Sequence, residues 1–457
     1  MELKEFKKVF FTGIGGVGIS ATARILNFQG IKVSGSEVTT SELTEQLIRE
    51  GVSVVIPQKA ENVPIDAGLL VYSVAVPEDN PERQVAKKYG IKEITYPQLL
   101  GLLMKDQYGI GVSGTNGKTT TTALLSLLFL EAEKDPTVVL GGKTDYLGGN
   151  SRVGSSQYFI FESDEYRRAF VNYFPKMAVV TYVTEDHLDY YKDINDIKAA
   201  FRDYLVKVPA DGFIFANADD ANSLEVAGGA QARKITFGMD NQADIMAKNI
   251  RVANGQQIFD LSFMDKKLGE MQLHLPAKYN IYNVLAAVGP ALMVGLDFKV
   301  IQKAVAKFKG SWRRFEKIGQ FMGIDVISDY AHTPDAVEKT ILAAQEFYPG
   351  KKVLTIFQPH QYNRTKNFFE QFALAFKGAD QAFVMDIFFV KGRENPADFD
   401  VSSEKLAVEA VKLGGRVAYL NKLNKETLSQ LLKADNYGLI LTMGAGDIYN
   451  YAKELVK

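Results

Sequence analysis

The chain has 457 residues, 46% of them hydrophobic and 23% charged, the balance of an ordinary soluble globular protein with length for about three domains. The 53 Lys and Arg nearly match the 54 Asp and Glu, so a net charge of −1 gives no electrostatic pull towards nucleic acid or an anionic membrane. With no cysteine, disulfides, zinc–thiolate sites, iron–sulfur clusters and thiol nucleophiles are excluded; no apolar run nears the ~20 residues of a bilayer span and no signal-peptide pattern opens the chain, so the expected location is cytoplasmic.

Val9–Thr12 reads as a buried strand and Gly13–Gly18 as a glycine-rich turn. Ile19–Phe28 has helical spacing, with Gly30 as its stop, and Ile31–Ser34 and Leu69–Ser73 are the next strands. Strands alternating with helices predict a parallel, doubly wound sheet. Gly13-x-Gly15-x-x-Gly18 after a strand, with Glu37 downstream, satisfies the dinucleotide fingerprint, but the same loop suits any pyrophosphate on a helix N-terminus.

A second unit is expected over 107–310. Tyr108–Val112 is a strand and Lys118–Leu130 a helix, and between them lies Ser113-Gly114-Thr115-Asn116-Gly117-Lys118-Thr119-Thr120. Backbone N–H groups at such a helix start have no intrahelical partner and point at an anion. Gly114 and Gly117 let the backbone wrap phosphates, Lys118 brings positive charge to them, and the Thr119 hydroxyl suits Mg²⁺. Val112 stands where the usual phosphate-loop pattern has its first glycine, but the strand–loop–helix context and the Gly-Lys-Thr core favour a phosphate loop over a Gly/Thr-rich turn with no ligand.

Phe159–Phe161 and Ala178–Tyr182 are further strands, each followed by acidic residues: Glu162-Ser163-Asp164-Glu165, and Glu185-Asp186-His187-Leu188-Asp189. At strand carboxyl ends such groups face a bound ligand and complete a Mg²⁺ shell. Taken alone, each is a solvated loop or helix cap, but their position relative to Lys118 favours the ligand reading. Asn280 and Asn283 share one face of a helix start, where their amides read a purine edge or cap the helix.

The third unit, over 311–457, has expected strands Asp325–Ser328, Lys352–Phe357, Gln381–Met385, Arg416–Tyr419 and Gly438–Thr442. Arg313-Arg314-Phe315-Glu316 opens it, and this pair of arginines at a domain junction suits a transferring phosphoryl group or surface ion pairs. Asp329, in Asp329-Tyr330-Ala331-His332-Thr333-Pro334, follows a strand and suits ribose hydroxyls. The fold class is α/β: a Rossmann-like domain (1–106), a P-loop ATPase-like central domain (107–310) and a second Rossmann-like domain (311–457).

Gly-Thr-Asn-Gly-Lys-Thr-Thr, Glu-Ser-Asp-Glu, Glu-Asp-His-Leu-Asp, Asn-x-x-Asn, Arg-Arg-Phe-Glu and Asp-Tyr-Ala-His-Thr-Pro, in this order, resemble the Mur ligase family of ATP-dependent amide-bond ligases in peptidoglycan synthesis. Gln358-Pro359-His360-Gln361-Tyr362-Asn363-Arg364 and Gly444-Ala445-Gly446-Asp447-Ile448 extend the resemblance. It implies joining of L-alanine to the lactyl carboxylate of UDP-N-acetylmuramate through an acyl phosphate, using ATP and Mg²⁺, by a monomer or weak homodimer.

The resemblance implies these roles. Gly114, Thr115, Asn116, Gly117, Lys118, Thr119, Thr120, Asn280, Asn283, Arg314 and Asp329 hold ATP; Thr119, Glu162 and His187 bind Mg²⁺; and Lys118, His187 and Arg314 act at the reacting phosphate. Gly13, Gly15, Gly16, Val17, Gly18, Ser36, Ser73 and Asn80 hold the UDP-sugar, the better occupant of the first loop once an ATP site lies downstream. His332 and Arg364 hold the amino-acid carboxylate. Tyr166-Arg167-Arg168 and Gln361 depart from the family pattern, the former towards a ligase that attaches murein tripeptide. More remotely, the first loop by itself suits an NAD-dependent oxidoreductase, and the nucleotide loops together suit a non-catalytic nucleotide sensor.

Overall fold

The computed structural model describes residues 3–188, 190–253, 255–390 and 394–457. They form three sheets and group into two compact units: Met1–Asn249 with Phe259–Met271 and Ile281–Phe308, and Ile250–Ile258 with Gln272–Asn280 and Lys309–Lys457.

The first sheet has five parallel strands in the spatial order Ser53–Val55, Lys32–Ser36, Lys8–Thr12, Leu69–Tyr72, Lys92–Thr95. Its centre is apolar on both faces, with Val9, Phe10, Phe11, Leu69, Leu70 and Val71 all buried, as a sheet covered by helices on each side requires. The reversal of strand order falls between Lys8–Thr12 and Leu69–Tyr72, so a crevice opens at the carboxyl end of Lys8–Thr12, where Gly13 begins.

The second sheet runs Lys266–Leu273, Gln256–Phe263, Ile245–Ala253, Arg233–Gly238, Phe213–Asn217, Met177–Val180, Tyr108–Ser113, Tyr158–Glu162, Thr137–Thr144, Gly149–Arg152. The strand Tyr108–Ser113 is central, flanked in parallel by Met177–Val180 and Tyr158–Glu162. The loop helix Lys118–Glu131 follows it, buried over ten consecutive residues from Thr120 to Phe129.

Within the first unit the helix Val17–Phe28 is tied to the edge strand Gly149–Arg152. Fully buried Asn150 donates to Val17 O and to Ser20 Oγ (3.1 Å), while Arg24 donates to Asn150 Oδ1 (2.8 Å) and Ser151 Oγ (2.8 Å). Buried amides satisfied at both ends fix orientation as well as contact.

The third sheet, in the second unit, runs Glu316–Phe321, Ile324–Asp329, Tyr437–Met443, Lys352–Phe357, Gln381–Val384, Val417–Tyr419, antiparallel only at its first pair. Asp329, Gly444 and Gln358 leave its three central strands at the same end.

Most expected strands lie within two residues of their expected ends. Additional to those expected are Ser53–Val55, Lys92–Thr95, Thr137–Thr144, Gly149–Arg152, Phe213–Asn217, Arg233–Gly238, Ile245–Ala253, Gln256–Phe263, Lys266–Leu273 and Glu316–Phe321. In Gln256–Phe263 a buried glutamine takes a core position, and its Nε2 is satisfied by Leu275 O (2.7 Å) and Ala277 O (2.9 Å), which blurs the apolar alternation.

Candidate active site

The loop 114–117 turns through two positive-φ glycines, Gly114 (134°) and Gly117 (84°). A Cβ at Gly114 would lie 2.0 Å from Thr181 Oγ1, and one at Gly117 would lie 2.4 Å from Asn283 Oδ1, so both positions demand glycine by conformation and by space. Gly117 is the N-cap of the loop helix and no side chain caps it, leaving the first N–H groups for an anion. Thr115 N donates to Tyr182 O (2.8 Å) and its hydroxyl meets Thr184 Oγ1 (2.8 Å), pinning the loop to the neighbouring strand end; Asn116 is exposed and Thr120 buried.

Lys118 Nζ donates to Gly114 O (2.7 Å) and Glu165 Oε1 (2.8 Å), and Thr119 Oγ1 donates to Glu162 Oε1 (3.0 Å). Glu162 Oε2 accepts from Gly141 N (2.8 Å), where any Cβ would strike the carboxylate. Burial alone would lower the Lys118 pKa, but Glu165, Asp164 and Glu162 outweigh it and hold the ammonium above the ordinary lysine value. Burial pushes the Glu162 carboxyl up, against Lys118, the Gly141 N–H and the Thr119 hydroxyl.

The structure divides the expected metal residues. Thr119 and Glu162 form one pair. His187, at a left-handed φ of 52°, groups with Asp164 and Glu165, with ligand atoms all within 4.8 Å of one another. Tyr166 packs against His187 with ring centroids 4.7 Å apart. Glu165 is 1% exposed, its Oε2 has no partner, and Tyr191 OH donates to its carbonyl. Asp189 lies outside the described residues.

Asn280 and Asn283 lie in the helix Lys278–Met293. Asn280 Nδ2 donates to Pro276 O (2.7 Å) at the helix start, and Asn283 Oδ1 accepts from Thr121 Oγ1 (3.2 Å), so Asn283 braces the phosphate loop.

In the first glycine loop, Gly16 is the uncapped N-cap of Val17–Phe28, and Gly15 N donates to Glu37 Oε2 (2.8 Å). Gly13 has a φ of 77°, and a Cβ at Gly18 would lie 2.8 Å from the Tyr96 ring. Three residues expected at the sugar nucleotide also serve the local fold. Ser36 Oγ donates to buried Glu82 (2.5 Å), and Ser73 Oγ accepts from Ala75 N (3.4 Å). Asn80 caps Pro81–Lys88 through Glu82 N (3.0 Å) and donates to Gln58 Oε1 (2.8 Å).

In the second unit, the Asp329 carboxylate accepts from Phe315 N (2.7 Å) and Ala331 N (2.8 Å), and burial pushes its pKa up. Arg314 is exposed and lies 5.1 Å over the Tyr330 ring. Burial, with the Arg364 cation next, holds His332 down at about 4, so it is neutral at physiological pH. Its Nδ1 meets Tyr330 O (3.0 Å), and its ring lies 6.5 Å from that of His360. Arg364 reaches His360 Nδ1 (3.2 Å), and His360 stacks on Phe388 at 5.5 Å and 10°. Spacing and motif assign no role to Glu165, His360 or Phe388, and they pair Arg313 with Arg314, whereas the fold buries Arg313 and leaves Arg314 exposed. Glu165 and His360 lie inside the acidic and Gln-Pro-His motifs, whereas Phe388 carries no signal in the sequence.

Three family models match in succession: the Mur ligase family catalytic domain over residues 8–108, the Mur ligase middle domain over 112–291, and the Mur ligase glutamate ligase domain over 313–446. The chain is 40% identical over 461 residues to the UDP-N-acetylmuramate–L-alanine ligase of Caldanaerobacter subterraneus subsp. tengcongensis, covering 100% of this chain and 99% of that one.

The chain belongs to the Mur ligase family.

This Mur ligase is also 40% identical to the UDP-N-acetylmuramate–L-alanine ligase of Clostridium tetani, over 98% of this chain and 97% of that one. The crystal structure of the UDP-N-acetylmuramate–alanine ligase of Thermotoga maritima superposes with a TM-score of 0.82 at 27% identity, covering 98% of each chain. A murein peptide ligase from Psychrobacter arcticus shares the fold, at a TM-score of 0.69 and 22% identity over 98% of each chain. Family membership makes this chain an ATP-dependent ligase, and the oxidoreductase and the non-catalytic sensor fall away. Among the described residues no helix is long and apolar enough to cross a membrane.

Proposed function

We propose that this Mur ligase joins L-alanine to the lactyl carboxylate of UDP-N-acetylmuramate, converting ATP to ADP and phosphate. The observation that carries the reading is the full-length 40% identity to an enzyme of that name, in a chain whose uncapped helix start carries Lys118 bonded to Glu165 and Thr119 bonded to Glu162. We assign residues 1–106 to the sugar nucleotide, 107–310 to ATP and 311–457 to the amino acid.

The donor set fits Mg²⁺ and a triphosphate. The Thr119 hydroxyl and Glu162 carboxylate are hard oxygen ligands 3.0 Å apart, and the orphaned Glu165 Oε2 beside Asp164 and His187 adds a second group. Bound Mg²⁺ supplies positive charge to the phosphate oxygens.

A lactyl carboxylate oxygen attacks the γ-phosphorus of ATP, the bond to the bridging oxygen breaks and ADP leaves. The alanine amine attacks the acyl carbon of the resulting acyl phosphate. The tetrahedral adduct expels phosphate and the nitrogen gives up its proton, leaving the amide. The protein supplies position and charge. The loop N–H groups seat the phosphates. Lys118, fixed by Gly114 O and Glu165, offsets their charge, and Arg314 meets the transferring phosphoryl group. Asn280, Asn283 and Asp329 take the nucleoside side of ATP, and neutral His332 with Arg364 seats the alanine carboxylate.

The test is phosphate release with ATP and UDP-N-acetylmuramate across L-alanine, L-serine, glycine and murein tripeptide. Release led by L-alanine is expected. Release led by the tripeptide, or in the absence of the sugar nucleotide, overturns the reading.

A further inference from the structure

The paired arginines 313 and 314 part company in the fold. Arg314 is exposed, whereas Arg313 is 6% exposed, and among the described residues no carboxylate forms an ion pair with its guanidinium. That guanidinium is enclosed by three rings, those of Trp312, Tyr330 and Tyr449, with centroids at 5.5, 5.0 and 5.4 Å. It donates to the carbonyls of Gly444, of Gly446 (3.0 Å) and of Ala445 (3.5 Å), and its Nε has no partner. Burial lowers its pKa. A buried cation offset by ring faces, carbonyl dipoles and the Asp329 carboxylate, with no direct ion pair among the described residues, is a costly way to stabilise a fold. What it achieves is geometric: three successive carbonyls of one loop turn to the same point.

That loop adjoins the acceptor residues. Gly444 N donates to Asp329 O (3.1 Å), and Gln358 bridges the loop's far end by donating to Asp447 Oδ1 (2.7 Å) and accepting from Ile448 N (3.0 Å). Gly446 is pressed against Phe388, for a Cβ there would lie 2.6 Å from the ring carbon Cγ and 2.5 Å from Gln358 Oε1. Phe388 stacks on His360, and His360 contacts Arg364.

We infer that Arg313 is a positioning residue of the amino-acid site. Its fork holds the 444–446 backbone where Gly446 supports Phe388, and Phe388 holds His360 against Arg364. The inference rests on the functional reading above, in which His332 and Arg364 seat the acceptor. It also separates the two arginines: Arg314 acts on the phosphoryl group, Arg313 on the amino acid.

The test is steady-state kinetics of the full-length enzyme carrying Arg313→Lys, which keeps the charge and loses the planar fork. KM for L-alanine should rise about tenfold, while KM for ATP and for UDP-N-acetylmuramate stays within about twofold and the melting temperature holds. A folded variant with unchanged alanine KM overturns the inference, and so does one in which all three KM values rise together. Gly446→Ala disturbs the same loop from the Phe388 side and should reproduce the split even if Arg313→Lys fails to fold; an unchanged alanine KM there overturns it equally. Wild-type enzyme is assayed first on the amine panel. If another amine drives phosphate release, the split is read with that amine, so the functional reading and this inference fail separately.

Discussion

The first compact unit contains two strand–glycine–helix turns, Gly13–Gly16 entering Val17–Phe28 and Gly114–Gly117 entering Lys118–Glu131. Both helices start at a glycine with no side-chain cap, so both offer bare N–H groups to an anion. The charged groups around them differ, and of these two turns only the second carries a cation at the helix start. At the first turn the Glu37 carboxylate accepts from Gly15 N and Val38 N, each at 2.8 Å. At the second, the Lys118 ammonium sits between Gly114 O and Glu165 with three carboxylates raising its pKa, and Thr119 and Glu162 stand beside it. Backbone geometry alone makes a phosphate seat. Side-chain charge decides whether that seat merely holds a diphosphate as a handle or concentrates charge on a phosphate that must react.

The largest expected effect follows from that contrast. Lys118→Ala should lower kcat for ADP release by about 10³-fold or more, with far-UV circular dichroism unchanged, because charge is lost at the reacting phosphate. No single substitution in the 13–18 loop should reach that in kcat at saturating UDP-N-acetylmuramate. ADP release near the wild-type rate from folded Lys118→Ala would erase the distinction between the turns. Glu162→Gln comes next. It removes a carboxylate oxygen beside Thr119, and the half-saturating Mg²⁺ concentration in the phosphate-release assay should rise about tenfold or more. An unchanged Mg²⁺ titration would remove Glu162 from the cation site.

Much of this contrast is legible in the chain. The turns announce themselves because an apolar strand, a glycine cluster and a helical period follow one another within about 20 residues, a local signal. The identity of Lys118, Thr119 and Glu162 is legible for the same reason. What long-range geometry decides is not. Nothing in the spacing says that Lys118 leans on Glu165 rather than Glu162, or that His187 joins Asp164 and Glu165. Asn280 and Asn283 look alike in sequence, yet the first bonds the helix start and the second braces the phosphate loop. Arg313 and Arg314 look alike too, and only the fold shows which is buried. The strand Gln256–Phe263 is harder to see because a satisfied glutamine, Gln257, takes one of its core positions.

Two glycine substitutions sharpen the comparison at the level of binding. Gly117→Ala puts a Cβ at a φ of 84° and 2.4 Å from Asn283 Oδ1. Gly18→Ala puts one 2.8 Å from the Tyr96 ring. Each should raise KM about tenfold for one substrate only: ATP for Gly117→Ala, UDP-N-acetylmuramate for Gly18→Ala. Kinetics with each substrate varied in turn decides the matter. If either variant raises both KM values equally, the turns are not separate seats.

The smallest effect tests the sign of the charge at the first turn. Glu37→Gln keeps an oxygen that can accept from Gly15 N and removes the negative charge, so it separates hydrogen bonding from electrostatics. A bound diphosphate would be repelled by the carboxylate that now occupies the same amide. Removing that charge should therefore tighten UDP-N-acetylmuramate about two- to fivefold at low salt, with the gain shrinking as salt screens it. Isothermal titration calorimetry at two ionic strengths reads both quantities. Weaker binding at every salt would mean that the carboxylate meets the ligand as an acceptor for its hydroxyls. The two turns would then differ in what they recognise more than in how much charge they gather.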